Sequence, residues 1–181
     1  VKTAVYTAVF GDYDAIKPPL ACGDADYIVF SDNPNPPQAP WQLRLCKLPE
    51  GTDACKASRY YFTQSTKVLP DYEVTIMHGG NAQLSRTAEE FLPFLANTDI
   101  AGFKHPHRNC VYDEVAACAL IRKDTWENMQ PQMDRYWSEG FEGKPFSACI
   151  LLVRRNTPQI AKLEELWWEE VLHGSYRDQL S

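Results

Sequence analysis

Apolar residues in this chain fall in short blocks whose period switches between that of a strand and that of a helix, the pattern of an α/β layer protein. Thr3 to Phe10, TAVYTAVF, is rich in β-branched and aromatic residues and predicts a buried strand stopped by Gly11-Asp12-Tyr13-Asp14. Asp26 to Phe30 predicts a second strand running into Ser31-Asp32-Asn33, and the prolines of Asn33 to Pro40 then impose an exposed loop. Trp41 to Leu48 alternates apolar and polar positions, as a half-buried strand near a sheet edge does. Ala54 to Val68 has helical spacing, with Asp53 or Thr52 as cap and Pro70-Asp71 beyond its end.

The stretch Tyr72 to Leu84, YEVTIMHGGNAQL, predicts the central strand, over Val74, Ile76 and Met77. His78-Gly79-Gly80-Asn81 ends it with two glycines, which permit positive φ or a close approach of ligand to backbone. Thr87-Ala88-Glu89-Glu90 is spaced as a capping box for a helix over Ala88 to Leu95, and Thr98 to Phe103 predicts a short strand. Val111 to Asp124 and Thr125 to Ser138 read as helices, the second interrupted or restarted at Pro131. Phe146 to Val153 predicts a late buried strand ending at Arg154-Arg155-Asn156. Thr157-Pro158 then caps an amphipathic helix over Ile160 to Leu172, and Gly174 stops it before a polar terminal cluster.

A chain of 181 residues, 44% hydrophobic and 12% aromatic, supports one domain with a substantial core and is too short for two ordinary ones. With 18 Lys plus Arg against 24 Asp plus Glu, the net charge of -6 argues against broad affinity for nucleic acid or anionic membrane, while leaving room for a local basic pocket. No apolar run reaches the roughly 20 residues of a membrane span, and the N-terminus lacks a signal-peptide pattern. Location stays open between the cytoplasm, which is favoured, and the secretory lumen. The six cysteines are scattered without CxxC spacing and read best as reduced core residues.

Polar residues gather where strands are expected to end, the usual place for ligands in open α/β sheets. Asp12 and Asp14 form a DxD that serves equally as an Asx turn or a ligand contact, and Tyr13 offers a ring for a flat group or a cover for the sheet edge. Asp32 would accept hydrogen bonds from a base or sugar, or cap a turn. Arg59 can grip diphosphate oxygens, although its periodicity reads first as a solvent-facing helix arginine. Lys104 to Cys110 is the densest polar stretch. His105, His107 and Cys110 are chemically suitable zinc ligands but an incomplete set, and either histidine could titrate as an acid or base. No GxGxxG, GxxxxGK[ST] or GxSxG motif is present to specify a dinucleotide, triphosphate or hydrolase site.

Several blocks, taken in order, carry a resemblance. VYTAVFGDYD at Val5 to Asp14, IVFSD at Ile28 to Asp32, SRYYF at Ser58 to Phe62 and YEVTIMHGGN at Tyr72 to Asn81 come first. HPHRNCVYDE at His105 to Glu114 and WWEEVLHGSYRDQLS at Trp167 to Ser181 follow. In this order the chain resembles the DUF616 family, the TOD1/MUCI70-like glycosyltransferases. The resemblance implies a single GT-A-like domain with a mixed, mostly parallel central sheet flanked by helices. It also implies transfer of a sugar from a nucleotide-diphosphate sugar to a hydroxyl acceptor, such as a carbohydrate. Asp12, Tyr13, Asp32 and Arg59 would then serve the nucleotide side, with Gly79, Gly80 and Asn81 at the turn. His105, His107, Arg108 and Glu114 would shape the donor-acceptor pocket, and Arg177, Asp178 and Gln179 would close it. Asp178, His105 and Glu114 are the expected catalytic groups.

One departure from the family pattern touches the cofactor. Relatives carry a W-I-D-G-N-like sequence at the central strand end and would hold Mg²⁺ or Mn²⁺ there. Met77-His78-Gly79-Gly80-Asn81 occupies that place, so the acidic residue is Gly79. Glycine offers a hard cation no side-chain ligand, leaving His78 or Asp12 as substitutes. Phe62 and Ser65 also stand where relatives tend to carry Lys and His. Relatives continue past the Arg177-Asp178-Gln179 block, so the chain is expected to be one compact domain shortened at its C-terminus. These departures sustain an alternative reading, a noncatalytic protein that binds nucleotide sugar or glycan. The expectation common to both is that strand tips gather their charged and aromatic groups around the Gly79-Gly80 turn.

Overall fold

The computed structural model describes residues 1–181. Strands β1 (Thr3–Val9), β2 (Asp26–Ser31), β3 (Gln42–Leu45), β4 (Val74–His78), β5 (Ile100–Lys104) and β6 (Ser147–Arg155) form one sheet in the order β3-β2-β1-β4-β6-β5. The first four are parallel, and β6 runs antiparallel to both β4 and β5. The expected mixed, mostly parallel sheet flanked by helices is present. The C-terminal ends of β1 to β5 and the N-terminal end of β6 therefore lie along one edge of the sheet.

Burial of both faces explains the dense apolar strands. On one face Ala4, Tyr6, Ala8, Ile28, Phe30, Met77 and Leu152 pack with Ala57, Tyr61 and Phe62 of α1 (Ala54–Thr63) and with Trp167 of α5 (Pro158–His173). On the other, Val5, Tyr27, Val29, Val74, Ile76, Leu151 and Val153 meet Trp41, Leu84, Phe91 and Leu95. A third cluster joins α3 (Val111–Leu120) and α4 (Trp126–Ser138) through Val115, Cys118, Met129 and Met133 to Phe146 and Leu180. The six cysteines are unpaired, and no helix is long and apolar enough to cross a membrane.

Four local expectations are revised. The helix expected over Ala54 to Val68 breaks at Gln64 into α1 and a short α2 (Ser65–Val68). The cause is Glu164 of α5, whose carboxylate accepts the Thr66 N–H at 2.9 Å, the Thr66 hydroxyl at 2.6 Å and the Ser65 hydroxyl at 2.5 Å. Glu164 also pairs with Arg154 at 2.8 Å, and both side chains are almost wholly buried. Arg154 lies within β6 rather than after it. Glu89–Leu95 is a 3-10 helix containing Pro93, and half of the expected capping box forms, with Glu90 accepting the Thr87 N–H at 2.8 Å. α4 passes through Pro131 unbroken, and the missing N–H there leaves the Glu127 carbonyl without its helical donor.

Candidate functional site

At the tips of β1 and β2 the backbone turns tightly, and side chains lock it. Gly11 and Asp12 both have positive φ, 64° and 53°. The left-handed region suits glycine and disfavours aspartate less than most residues. Asp32 accepts the Gly11 N–H at 3.0 Å, and the Asn33 amide donates to the Asp12 carboxylate. Asp12 and Asp32 thus clamp two neighbouring strand tips, and Tyr13, next to Asp12 in the chain, is 76% exposed.

The glycine pair after β4 has a different physical reason from the one its sequence suggests. Neither Gly79 nor Gly80 has positive φ; close packing is what requires Gly80, and Gly79 is the less confined of the two. A Cβ on Gly80 would lie 2.6 Å from Val9 Cγ2 and 3.1 Å from Asp14 Oδ2, and one on Gly79 would lie 3.0 Å from Ile150 Cδ1. Gly80 is buried, Gly79 half-buried and Asn81 exposed. Asp14, rather than Asp12, is the carboxylate against this turn. His78 before it is buried, stacks obliquely on Trp41 with centroids 5.3 Å apart, and lies 2.8 Å from the Gly79 carbonyl through Nδ1. That contact places the proton on Nδ1 and leaves a buried Nε2 lone pair without a partner. Burial lowers the His78 pKa to about 4.

A second group forms where the C-terminal segment returns across α1 and β6. Arg59 Nε lies 3.4 Å from Asp178 Oδ1 and 3.4 Å from the Tyr176 carbonyl, and its guanidinium sits over the Phe62 ring. Arg59 is therefore paired, not solvent-facing. Trp167 Nε1 donates to the Asp178 carbonyl at 2.9 Å, and Arg177 donates to Gln179 Oε1 at 3.2 Å while its buried Nε has no partner. Cys149 on β6 stands among these charges. Burial above all, then the Asp178 charge, pushes its thiol far above the usual range, with Arg59, Arg154 and Arg177 opposing.

The third group closes the loop after β5. His105 Nδ1 accepts the backbone N–H groups of His107 at 3.2 Å and Arg108 at 3.0 Å, while Nε2 lies 3.2 Å from Arg108 Nη2 and 3.8 Å from Glu114 Oε2. Arg108 pairs with the same carboxylate oxygen, and the Cys118 thiol lies 3.5 Å from Oε1. Burial, then Arg108, lowers the His105 pKa, and Glu114 only partly opposes them. With its Nδ1 lone pair given to two backbone amides, the ring clasps the loop. Glu114 has both oxygens engaged and anchors the loop on α3. His107 is exposed beyond the clasp.

The structure thus sorts the expected residues into three groups instead of one ring around the glycine turn. Cys118, which lies against Arg177, and the His105 N–H bond to the Phe146 carbonyl at 3.2 Å link the third group to the second. No hydrogen bond or ion pair joins the first group to the other two. A cavity of about 580 Å³ opens beside the second group, walled by Phe146, Ser147 and Cys149 of the β6 edge, by α4 and α5, and by Asp178 and Gln179. It excludes Asp12, Asp32 and Gly79 to Asn81. Sequence reasoning named Asp14 as a turn or ligand residue without placing it at the glycine turn, and missed Cys149 between the charges and the walls of this cavity. Only Asp14 left a signal, the second position of Asp-x-Asp.

For Mg²⁺ or Mn²⁺ the side chains do not make a complete oxygen cage. Asp32 is given to Gly11 and Asp12 to Asn33, Asp14 stands alone at Gly80, and no group of three or more His, Cys, Asp or Glu is placed to hold an ion. His105 and Cys110 likewise point to other partners, His105 to the two amides and Cys110 to the Glu142 carbonyl at 3.7 Å.

Comparison with known proteins agrees with the terminal blocks. A search of curated proteins finds no match. The TOD1/MUCI70, glycosyltransferase-like domain matches residues 85–181, a span that holds His105 to Glu114 and Arg177 to Gln179 but not the tips of β1, β2 and β4. With more than half of its length in that match, the chain belongs to the TOD1/MUCI70 glycosyltransferase-like domain family.

Proposed function

We propose that the chain is a glycosyltransferase of GT-A-like architecture, moving a sugar from a nucleotide-diphosphate sugar to a hydroxyl acceptor. One observation carries this reading beyond family membership. Arg59 holds one oxygen of the nearly buried Asp178 carboxylate, and Asp178 lines a cavity beside the sheet edge along which the donor would lie. From the tip of β2 to the tip of β6 is three strand steps, about 14 Å at some 4.8 Å each, a reach suited to an extended nucleotide-diphosphate sugar.

In this reading the Tyr13 ring meets the base, Asp12 and Asp32 shape the ribose side, and Gly79 to Asn81 let the diphosphate approach the backbone. Asp178 Oδ2 takes the proton of the acceptor hydroxyl as its oxygen attacks the anomeric carbon. The bond from that carbon to the β-phosphate oxygen breaks, and nucleoside diphosphate leaves. Arg59 and Arg177 supply positive charge to the leaving group, because the side chains at the glycine turn do not supply a metal cage. Displacement in one step inverts the anomeric configuration.

Gly79 in place of the acid favours a second reading, a protein that binds nucleotide sugar or glycan without turnover. Incubation with a panel of nucleotide sugars and hydroxyl acceptors, with Mg²⁺, Mn²⁺ or chelator, separates the two. Donor-dependent product that disappears in Asp178→Asn, with donor binding kept, supports transfer. Saturable donor binding with no product over the whole panel would sink it in favour of the second reading.

A further inference from the structure

We propose that the cavity between α4, α5 and the β6 edge is the seat of a neutral saccharide, whose hydroxyl is presented to Asp178. This inference rests on the reading of the chain as a transferase and adds to it the place and class of the acceptor. Size is the first argument: about 580 Å³ lies within the range of small-ligand pockets, roughly 300–1,000 Å³.

The walls supply the second. Tyr136, Phe141, Phe146 and Trp167 all line the cavity. Phe141 keeps 48% of its surface exposed, while its ring packs edge-on to Tyr136 at 5.7 Å. A half-exposed, preordered ring offers a flat apolar surface to the C–H face of a sugar, and burying it on binding is favourable. Polar groups converge on the same space, since Gln179, Ser147 and Ser181 reach the lining along with Asp178. Rings on one side and hydrogen-bonding groups on the other match a pyranose, which has an apolar face and a rim of hydroxyls.

Charge decides between sugar classes. The lining holds three carboxylates, Glu139, Glu170 and Asp178, and one guanidinium, Arg135. Arg135 is already paired, with Glu170 and, at 3.5 Å, with Glu139, and Glu170 is further held by the Tyr136 hydroxyl at 2.8 Å and the Gln132 amide at 3.1 Å. Asp178 has Arg59 as its counter-ion, so no cation of the lining is left to receive a uronate, and Glu139 and Glu170, sharing the single Arg135, leave an excess negative charge that repels one. The cavity therefore selects a neutral sugar.

The test uses the intact chain and the Trp167 indole N–H resonance as reporter, because this group both lines the cavity and donates to the Asp178 carbonyl. The probes are galactose- and xylose-terminated oligosaccharides, a galacturonate-terminated one, and uridine and guanosine diphosphates in a separate arm. Neutral oligosaccharides are expected to shift the Trp167 resonance saturably, and Phe141→Ala is expected to weaken that binding about tenfold without changing nucleoside diphosphate affinity. Nucleoside diphosphate binding with no saccharide response overturns the inference and leaves the transferase reading standing. Saccharide binding with no nucleoside diphosphate response supports the cavity and overturns the donor reading. Saccharide binding indifferent to Phe141→Ala, or equal affinity for the galacturonate probe, also overturns the inference.

Discussion

Arg59 and Asp178, far apart in the chain, meet at 3.4 Å with side chains only 22% and 6% exposed. The pair ties the C-terminal segment to α1, so it has a structural and a proposed chemical part that substitutions can separate. Asp178→Asn keeps the shape and a hydrogen-bond acceptor for Arg59, and is expected to leave the melting temperature within a few degrees while lowering transfer by at least 10²-fold. Arg59→Ala leaves a nearly buried carboxylate unpaired and is expected to cost stability, of the order of 1–3 kcal/mol. Thermal unfolding and product formation, measured on both variants, check this. Equal loss of transfer and stability in Asp178→Asn would reduce Asp178 to an anchor.

Acid should weaken the fold through His78. Its pKa falls from an ordinary 6.5 to about 4 in the folded protein, so the unfolded chain binds the extra proton first as pH falls. Its contribution is fully present above pH 6.5 and is lost progressively between 6.5 and about 4, amounting to roughly 3 kcal/mol over that window. Melting temperatures recorded from pH 7.5 to 4.5 should drop more steeply for the parent chain than for His78→Gln. Parallel profiles would remove His78 as the cause.

The Arg154–Glu164 pair is the most deeply buried ionic contact, at 0% and 1% exposure. Glu164→Ala strands the guanidinium and the Ser65 and Thr66 donors, and is expected to cost about 3–5 kcal/mol. Arg154→Met combined with Glu164→Ala removes the stranded charge and should cost less than Glu164→Ala alone, which denaturant titration of the double-mutant cycle reads directly.

The glycine turn offers a contrast between neighbours. Gly80→Ala puts a Cβ 2.6 Å from Val9 Cγ2 in a buried turn and should destabilise by about 1–3 kcal/mol. Gly79→Asp meets only the movable end of Ile150 at 3.0 Å and Asn81 Oδ1 at 3.3 Å, so it should fold. Placing a second carboxylate near Asp14, it is expected to raise Mn²⁺ affinity at least tenfold in the presence of uridine diphosphate, as calorimetry would show. Unchanged Mn²⁺ affinity would place the diphosphate elsewhere.

Sequence periodicity alone determined most elements, because buried strands such as Thr3 to Phe10 and capped helices such as that after Thr157 carry their causes within a few residues. It also placed Asp12, Asp32 and the glycine turn at strand ends. Only tertiary structure decided what depends on distant partners: the helix break at Gln64, imposed by Glu164; the pairing of Arg59 with Asp178; and the contacts that engage His105 Nδ1 and both oxygens of Glu114 in the loop after β5. Even the reason for Gly80 was tertiary, since a close contact with Val9 and Asp14 leaves no local trace, whereas a positive φ would have been a local property. The cavity beside Asp178 was invisible for the same reason, being walled by α4, β6, α5 and the C-terminal segment, which meet only in three dimensions.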